Sequence, residues 1–273
     1  MSYEQYVSQN PKLLTMDPID FPSGLSISTM TLVCKLPIFF DTLLIATKIP
    51  LSVELIQTVT HGNNGEICRS VVPVKHKKKQ TSAKKKNKKN FYNQVTMVVK
   101  SINECRINVK LFKNGSIQIT GCKLISVVLW ILDKIFTLLK EPFQNAETHK
   151  CYYFANPYIF LDVANLTNFK IAMINSNFKI GFRLSREKLF DCLNIDKYDC
   201  SYDSSRHAGV IIKYQNTQLS NTTDTKKQIT SILIFDKGSV IITGAKCYRQ
   251  IMECYKFINA YLINKYIQIH LEQ

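Results

Sequence analysis

Apolar and polar residues alternate in two short stretches of the chain, VKLFKNGSIQITGCK at residues 109–123 and ILIFDKGSVIITGAK at residues 232–246. Phe, Gly, Ser, Ile, Thr, Gly and Lys coincide in place at one constant offset, so the chain contains an internal repeat. The alternation predicts strands, and the central Gly of each copy predicts a hairpin turn. A three-residue loop, Asp236-Lys237-Gly238 with Gly in the left-handed position, pairs Phe235 with Ser239. One face then carries Ile232, Ile234, Val240 and Ile242, and the other Ser231, Leu233, Phe235, Ser239, Ile241 and Thr243. The same register in the first copy puts Val109, Leu111, Ile117 and Ile119 against Asn108, Lys110, Phe112, Ser116, Gln118 and Thr120. A two-residue turn would mix the two sets, so the pattern itself selects the longer loop.

A helical pattern follows each hairpin, over 124–140 and 247–263. Val128, Ile131, Leu132, Ile135 and Leu139 share one side of the first, and Ile251, Cys254, Tyr255, Ile258 and Leu262 one side of the second. These stripes are expected to cover the aliphatic hairpin faces. A strand-like run and a short helix precede each hairpin: SISTMTLVCKL then DTLLIATKI, closed by Pro50, and NFKIAMINSNFKIGFRL then SREKLFDCLNI, opened by Ser185 as a helix cap.

The chain has 273 residues, with 36 Lys+Arg against 20 Asp+Glu for a formal charge of +16. An excess of that size fits an acidic partner such as nucleic acid. Nine of the lysines fall between Lys75 and Lys89, however, so without that stretch 27 basic side chains face 20 acidic ones, a balance of +7. The run lengthens the first copy and has the composition of a disordered loop insertion. It reads as a solvated loop, a nuclear import signal or a flexible arm that adds salt-dependent affinity.

No apolar run approaches the roughly 18 to 20 residues that cross a bilayer, and the N-terminus lacks a signal-peptide pattern. The expectation is a soluble, intracellular protein. The nine cysteines contain no C-x-x-C pair and read as reduced, mostly buried thiols, with a disulfide framework or a zinc site as the alternative. Histidines at 61, 76, 149, 207 and 270 have no metal-ligand spacing, and phosphate-loop and nucleophile-elbow motifs are missing. No enzyme and no cofactor are expected.

The face opposite the aliphatic one presents a Phe among hydroxyls and amides in both copies, which suggests a binding surface. The twice-occurring F-x-x-G-[SK]-x-x-x-T-G-[AC]-K block, each time before a long helix, resembles the TATA-box-binding protein family. The likeness extends to KIGFRLSREKLF as first strand and helix of the second copy, to HAGVIIKY as its second strand, and to VCKLPI in the first. The divergence and the Lys-, Ile- and Asn-heavy composition resemble such factors of large DNA viruses.

The resemblance implies an α+β saddle of two pseudo-symmetric repeats, a curved antiparallel sheet with helices on the convex face. The division expected is a tail at 1–24, repeat one at 25–140 with the basic insertion at about 74–90, an inter-repeat segment at 141–168, repeat two at 169–266 and a tail at 267–273. It implies an initiation factor that binds and bends A/T-rich double-stranded promoter DNA from the minor groove. Aromatic wedges would enter base steps and recover the unstacking cost through contact with bent DNA. The partners implied are a B-type initiation factor and RNA polymerase, with a monomer on DNA. The implied place is the site of transcription, in a nucleus or a cytoplasmic viral replication compartment, with packaging in a virion as a further destination.

Phe112 and Phe235 match one wedge of each pair. His207 matches the second wedge of repeat two, where the family has Phe, and Tyr92 or Phe91 that of repeat one. Gln118, Ile241, Thr120 and Thr243 match groove contacts, as do Lys110, Leu233 and Ile27, and Lys123, Lys213 and Lys246 match basic positions near the backbone. The family's two central asparagines match Leu25 and either Ile171 or Met173, so hydrogen-bond readout of A·T acceptors is lost there and deformability remains. Relaxed A/T preference is therefore expected. The alternatives are a protein-interaction module in an initiation complex that has lost productive DNA bending, and stacking of single-stranded nucleic acid on the aromatics.

Overall fold

The computed structural model describes residues 21–62, 66–73, 92–216 and 228–271. They form two compact units: Thr31–Lys170, and the residues up to Met30 together with those from Ile171 onward. The inter-repeat segment thus belongs to the first unit. Residues 25–30, expected in repeat one, group with the second.

The first unit is a sheet with strand order β1-β7-β6-β5-β3-β4. Its strands are β1 (Ser26–Lys35, of which the second half belongs here), β3 (Ile56–His61), β4 (Ile67–Ser70), β5 (Gln94–Lys100), β6 (Arg106–Phe112) and β7 (Ser116–Cys122). Two helices cover one face, α1 (Thr42–Lys48) and α2 (Ile125–Lys140). The predicted stripe of α2 is buried throughout, with Val128, Ile131, Leu132, Ile135 and Leu139 over Val109, Leu111, Ile117 and Ile119. Each such aliphatic burial is worth about 1.5–3 kcal/mol, so this layer is the unit's main source of stability. Helix α1 starts where the Asp41 carboxylate accepts the Leu44 N–H at 2.9 Å and ends before Pro50.

Strand β4 has no counterpart in the expected repeat. It extends the sheet at the β3 edge, and its Arg69 guanidinium donates to the carbonyls of Ala46 (3.2 Å) and Ile49 (3.0 Å). Those are the last carbonyls of α1, which a cation satisfies well. The lysine insertion itself and the N-terminal tail to residue 20 lie outside the described residues.

The second unit has strand order β12-β13-β14-β15-β11, with β11 (Thr167–Lys179), β12 (Cys200–Ser201), β13 (Val210–Gln215), β14 (Ile229–Ile234) and β15 (Ser239–Ala245). HAGVIIKY is therefore the third strand in chain order, because the two-residue β12 precedes it. Helices α3 (Arg186–Ile195), α4 (Tyr248–Asn264) and α5 (Tyr266–Ile269) follow. Ser185 caps α3 by accepting the Lys188 N–H at 3.3 Å, and Ile251, Cys254, Ile258 and Leu262 of α4 are buried. Tyr255 is only half-buried and meets Phe178 edge-on. Each unit is thus an antiparallel sheet with its helices packed on one face, the α+β class expected.

Both units use the chain after the long helix in the same way. In the first, β8 (Phe143–Gln144) and β9 (Cys151–Tyr152) form a small hairpin, and β10 (Ala155–Asn156) pairs with β2 (Phe39–Phe40). There the Asp41 N–H donates to the Phe154 carbonyl at 2.9 Å, and in the second unit the Ser185 N–H donates to Ile269 at 2.8 Å. Each short helix therefore has the backbone N–H of its cap residue satisfied by a trailing segment. Phe154, Ala155, Leu161 and Val163 are buried, which explains why the inter-repeat segment folds into its unit.

All nine cysteines are free thiols, but they are not mostly buried: Cys34, Cys122 and Cys254 are, while Cys68, Cys105 and Cys151 are exposed. Burial pushes the Cys34 and Cys254 thiols up to about 12, which keeps them protonated and inert. Among the described residues no His, Cys, Asp and Glu group is arranged for a metal, and no helix is long and apolar enough to cross a membrane.

Candidate nucleic-acid interface

The strand registers fix which side chains share the helix-free face of each sheet. In the second unit Phe235 and Ser239 flank the turn. Next come Ile211, Leu233 and Ile241 in one cross-strand row, then Lys213, Ser231 and Thr243 in another. In the first unit the corresponding rows are Gln94, Phe112 and Ser116, then Thr60, Thr96, Lys110 and Gln118, then Thr58, Val98, Asn108 and Thr120. Cys68 and Ser70 of β4 extend the last two rows, opposite Thr60 and Thr58. The two faces are equivalent in position and different in chemistry, the first mostly hydroxyl and amide, the second with an aliphatic band.

The turn geometry is the predicted one in both copies. Gly115 and Gly238 have φ +82 and +78, and their N–H groups donate to Phe112 and Phe235 at 2.9 and 3.0 Å. Each phenylalanine is thereby held at the strand end beside the turn. Both are half-buried rather than freely standing. A Cβ at Gly209 would come within 3.1 Å of the Phe235 ring, so that ring lies against a strand whose lack of a side chain makes room for it.

His207 sits two residues before Gly209, with ring centroid 6.0 Å from that of Phe235. The Gly209 N–H donates to its Nδ1 at 3.1 Å. In the first unit Gln94 pairs with Phe112 as Gly209 neighbours Phe235, so the register makes Tyr92 the counterpart of His207. Tyr92 is exposed and its hydroxyl donates to Glu66 at 3.3 Å. Phe91 lies outside the described residues.

A third set of groups on the second face is not legible in the sequence. Strand β11 places Asn177 opposite Ile241, and its register shifts between Ile174 and Ser176. One residue of β11 there faces two of β15, so Thr243 and Gly244 (φ +88) form a bulge opposite Asn175. The Thr243 hydroxyl then donates to Asn175 Oδ1 at 2.5 Å.

Residues 168–264 match the family model described as Transcription factor TFIID, or TATA-binding protein. The chain is 35% identical over 266 residues to a TATA-box-binding protein-like protein of Acanthamoeba polyphaga mimivirus, covering 91% of this chain and 67% of that one. The chain belongs to the TATA-binding protein family. It is similar also to the solved structure of Methanococcus jannaschii TBP, at 13% identity and TM-score 0.47, over 88% of this chain and 98% of that one. The TATA-binding protein family is one of DNA-binding transcription factors, not of enzymes.

The remaining expected contacts divide by exposure. Gln118, Thr120, Leu233, Ile241, Thr243 and Lys110 lie half-buried on the helix-free faces. Lys213 is exposed there and donates to Ser231 at 2.8 Å. Lys123 and Lys246 are exposed where β7 and β15 give way to the long helices. Ile27, expected as a contact, is instead buried at 6% exposure, as are Leu25 at 5% and Ile171 at 7%. Apolar side chains near the strand start gain more from the core than from the surface, so Ile27 presents nothing to a partner. Lys100 is held by Glu54 and Glu104 at 3.2 and 3.3 Å, and their hydrogen bonds raise its pKa.

Proposed function

We propose that this chain is an initiation factor whose helix-free sheet faces bind promoter DNA from the minor groove and bend it, with a relaxed preference for A/T-rich sites. The observation that carries this reading is the recurrence of a turn-flanking phenylalanine, Phe112 and Phe235, in one register on two faces nearly free of carboxylates. Such faces suit a narrow groove, where apolar wedges unstack base steps and few charges need desolvation. The helical sides remain for a B-type initiation factor and RNA polymerase, with the chain monomeric on DNA.

Binding to A/T-rich and G/C-rich duplexes of equal length, with end-attached fluorophores reporting the bend, tests this. Preferential, bent binding of the A/T-rich duplex is expected. Weak, unbent and sequence-blind binding would instead favour a module held in an initiation complex by its protein partners.

The lysine insertion acts in this reading as an electrostatic arm. Deleting residues 75–89 is expected to make the slope of log affinity against log salt less negative by several units, bounded by about eight for nine lysines. The bend angle should stay the same. A changed angle would contradict the arm.

A further inference from the structure

The positions that the family fills with central asparagines are apolar here, yet two amides stand nearby on the helix-free face of the second unit. Both belong to β11, two residues apart and therefore on one side of the strand. Asn177 is exposed, and its Nδ2 donates to Ser28 Oγ at 2.7 Å while its Oδ1 accepts from Ser26 Oγ at 3.1 Å. Asn175 is half-buried, with Oδ1 engaged by Thr243.

The hydroxyls give the two amides a direction. An asparagine on a surface is ambivalent, offering a carbonyl acceptor as readily as an NH2 donor. Here a hydroxyl takes one of the two lone pairs on each Oδ1, so the pair is left with three N–H hydrogens against two lone pairs. Asn175 keeps its NH2 group, and Asn177 keeps the hydrogen that Ser28 does not take. Amides fixed in advance also lose less freedom on binding than amides that must be ordered by the ligand.

The face of the first unit carries its amides, Asn108 and Gln118, on the hairpin strands, and β1 has none at the equivalent positions. The Leu36 N–H donates to Gly115 as the Ile180 N–H donates to Gly238, so Thr31 and Val33 stand where Asn175 and Asn177 do. Thr31 is buried at 8% exposure, and Val33 carries no hydrogen-bonding group.

We propose that Asn175 and Asn177 are the sequence-reading residues of this protein, selecting A·T pairs in the part of the site that meets the second unit. The inference rests on the minor-groove reading above. A·T pairs offer only the acceptors adenine N3 and thymine O2 there, whereas a G·C pair adds the guanine N2 amino group. That amino group meets an N–H donor with a donor, which is the penalty that makes the discrimination.

Inosine provides the probe, because an inosine·cytosine pair lacks the N2 amino group. The full chain is titrated with duplexes in which A·T pairs are replaced by G·C or by I·C, one half of the site at a time. Binding is expected to fall on the order of tenfold with G·C in one half only, and to return with I·C in that half. In Asn175→Ala/Asn177→Ala that ratio collapses towards one. In Asn175→Asp/Asn177→Asp, which keeps acceptors for Thr243 and Ser26, it collapses or reverses.

Equal discrimination in both halves, I·C behaving as G·C, or an unchanged ratio in both variants would each overturn the assignment while leaving minor-groove binding intact. The inosine result on the unaltered chain can still overturn the assignment if a variant fails to fold. Failure of the unaltered chain to bind any duplex is a different outcome, which removes the proposed function and this inference with it.

Discussion

Phe112→Ala/Phe235→Ala is expected to weaken binding to an A/T-rich duplex on the order of a hundredfold at fixed salt and to leave the duplex unbent. Each ring sits at a strand end next to a turn, with its N–H and carbonyl neighbours fixed by the loop. A wedge held that rigidly can enter a base step without first losing much freedom of its own. Base–aromatic stacking is worth about 1–3 kcal/mol per ring, and two rings at about 1.4 kcal/mol each, in the lower half of that range, give the hundredfold figure. Unstacking a step costs a few kcal/mol, so once the rings are gone nothing maintains the kink and residual binding is electrostatic.

The two single variants separate the halves. Phe235 rests on Gly209 and near His207, a partly aromatic wedge site. Phe112 pairs with Gln94. Loss of Phe235 is expected to reduce the bend more, because its side chain is backed by the aliphatic row of Ile211, Leu233 and Ile241. Fluorescence-detected bend angles and affinities measure this directly. Full bending by the double variant, with both variants folded by thermal melting, would exclude the phenylalanines as wedges.

The second large effect is on stability: Gly238→Ala should lower the melting temperature by about 5–10 °C. Gly238 has φ +78, and a Cβ there would stand 2.6 Å from the Phe182 carbonyl oxygen and 2.9 Å from that of Ile180. Left-handed backbone costs a non-glycine residue about 1–3 kcal/mol, and the overlap adds a cost of about 1–3 kcal/mol. Two backbone carbonyls cannot yield as a flexible side chain would, since the Ile180 N–H itself donates to the Gly238 carbonyl at 2.8 Å. For a chain of this length each kcal/mol moves the melting point by about 2–4 °C, so a total of about 2.5 kcal/mol, towards the lower end of both costs, gives the expected shift. The neighbouring Lys237→Ala is exposed and should change it by less than about 1 °C. Equal melting points for the two variants would show that the turn tolerates a side chain. The same argument applies to Gly115, whose Cβ would meet the carbonyls of Leu36 and Ile38.

What was readable in the sequence was the part governed by short-range periodicity. The alternation around Phe112 and Phe235 admitted one loop length, and that loop determined which face each residue of both hairpins occupies. The apolar stripes located α2 and α4 to within a residue, Pro50 closed the first short helix and Ser185 opened the second. The repeat itself carried the family, because a duplicated F-x-x-G turn with a following T-G pair is a long, jointly constrained pattern.

Tertiary structure decided whatever depends on partners distant in the chain. The β15 bulge brings Thr243 to Asn175 across nearly seventy positions, and no local pattern marks that pairing. Ile27 alternates as though it faced outward, yet it is buried because β1 gives its first half to the second unit. The inter-repeat segment looks like a linker by position, but Phe154, Leu161 and Val163 bury themselves in the first unit. Strand β4 is stabilised through Arg69 on the end of α1, a contact made by charge at a helix terminus. Sequence by itself thus determined the hairpins, the helices and the family, since each follows from neighbours a few residues apart. Only the folded chain decided which amides stand ready on the face, because that rests on register between strands.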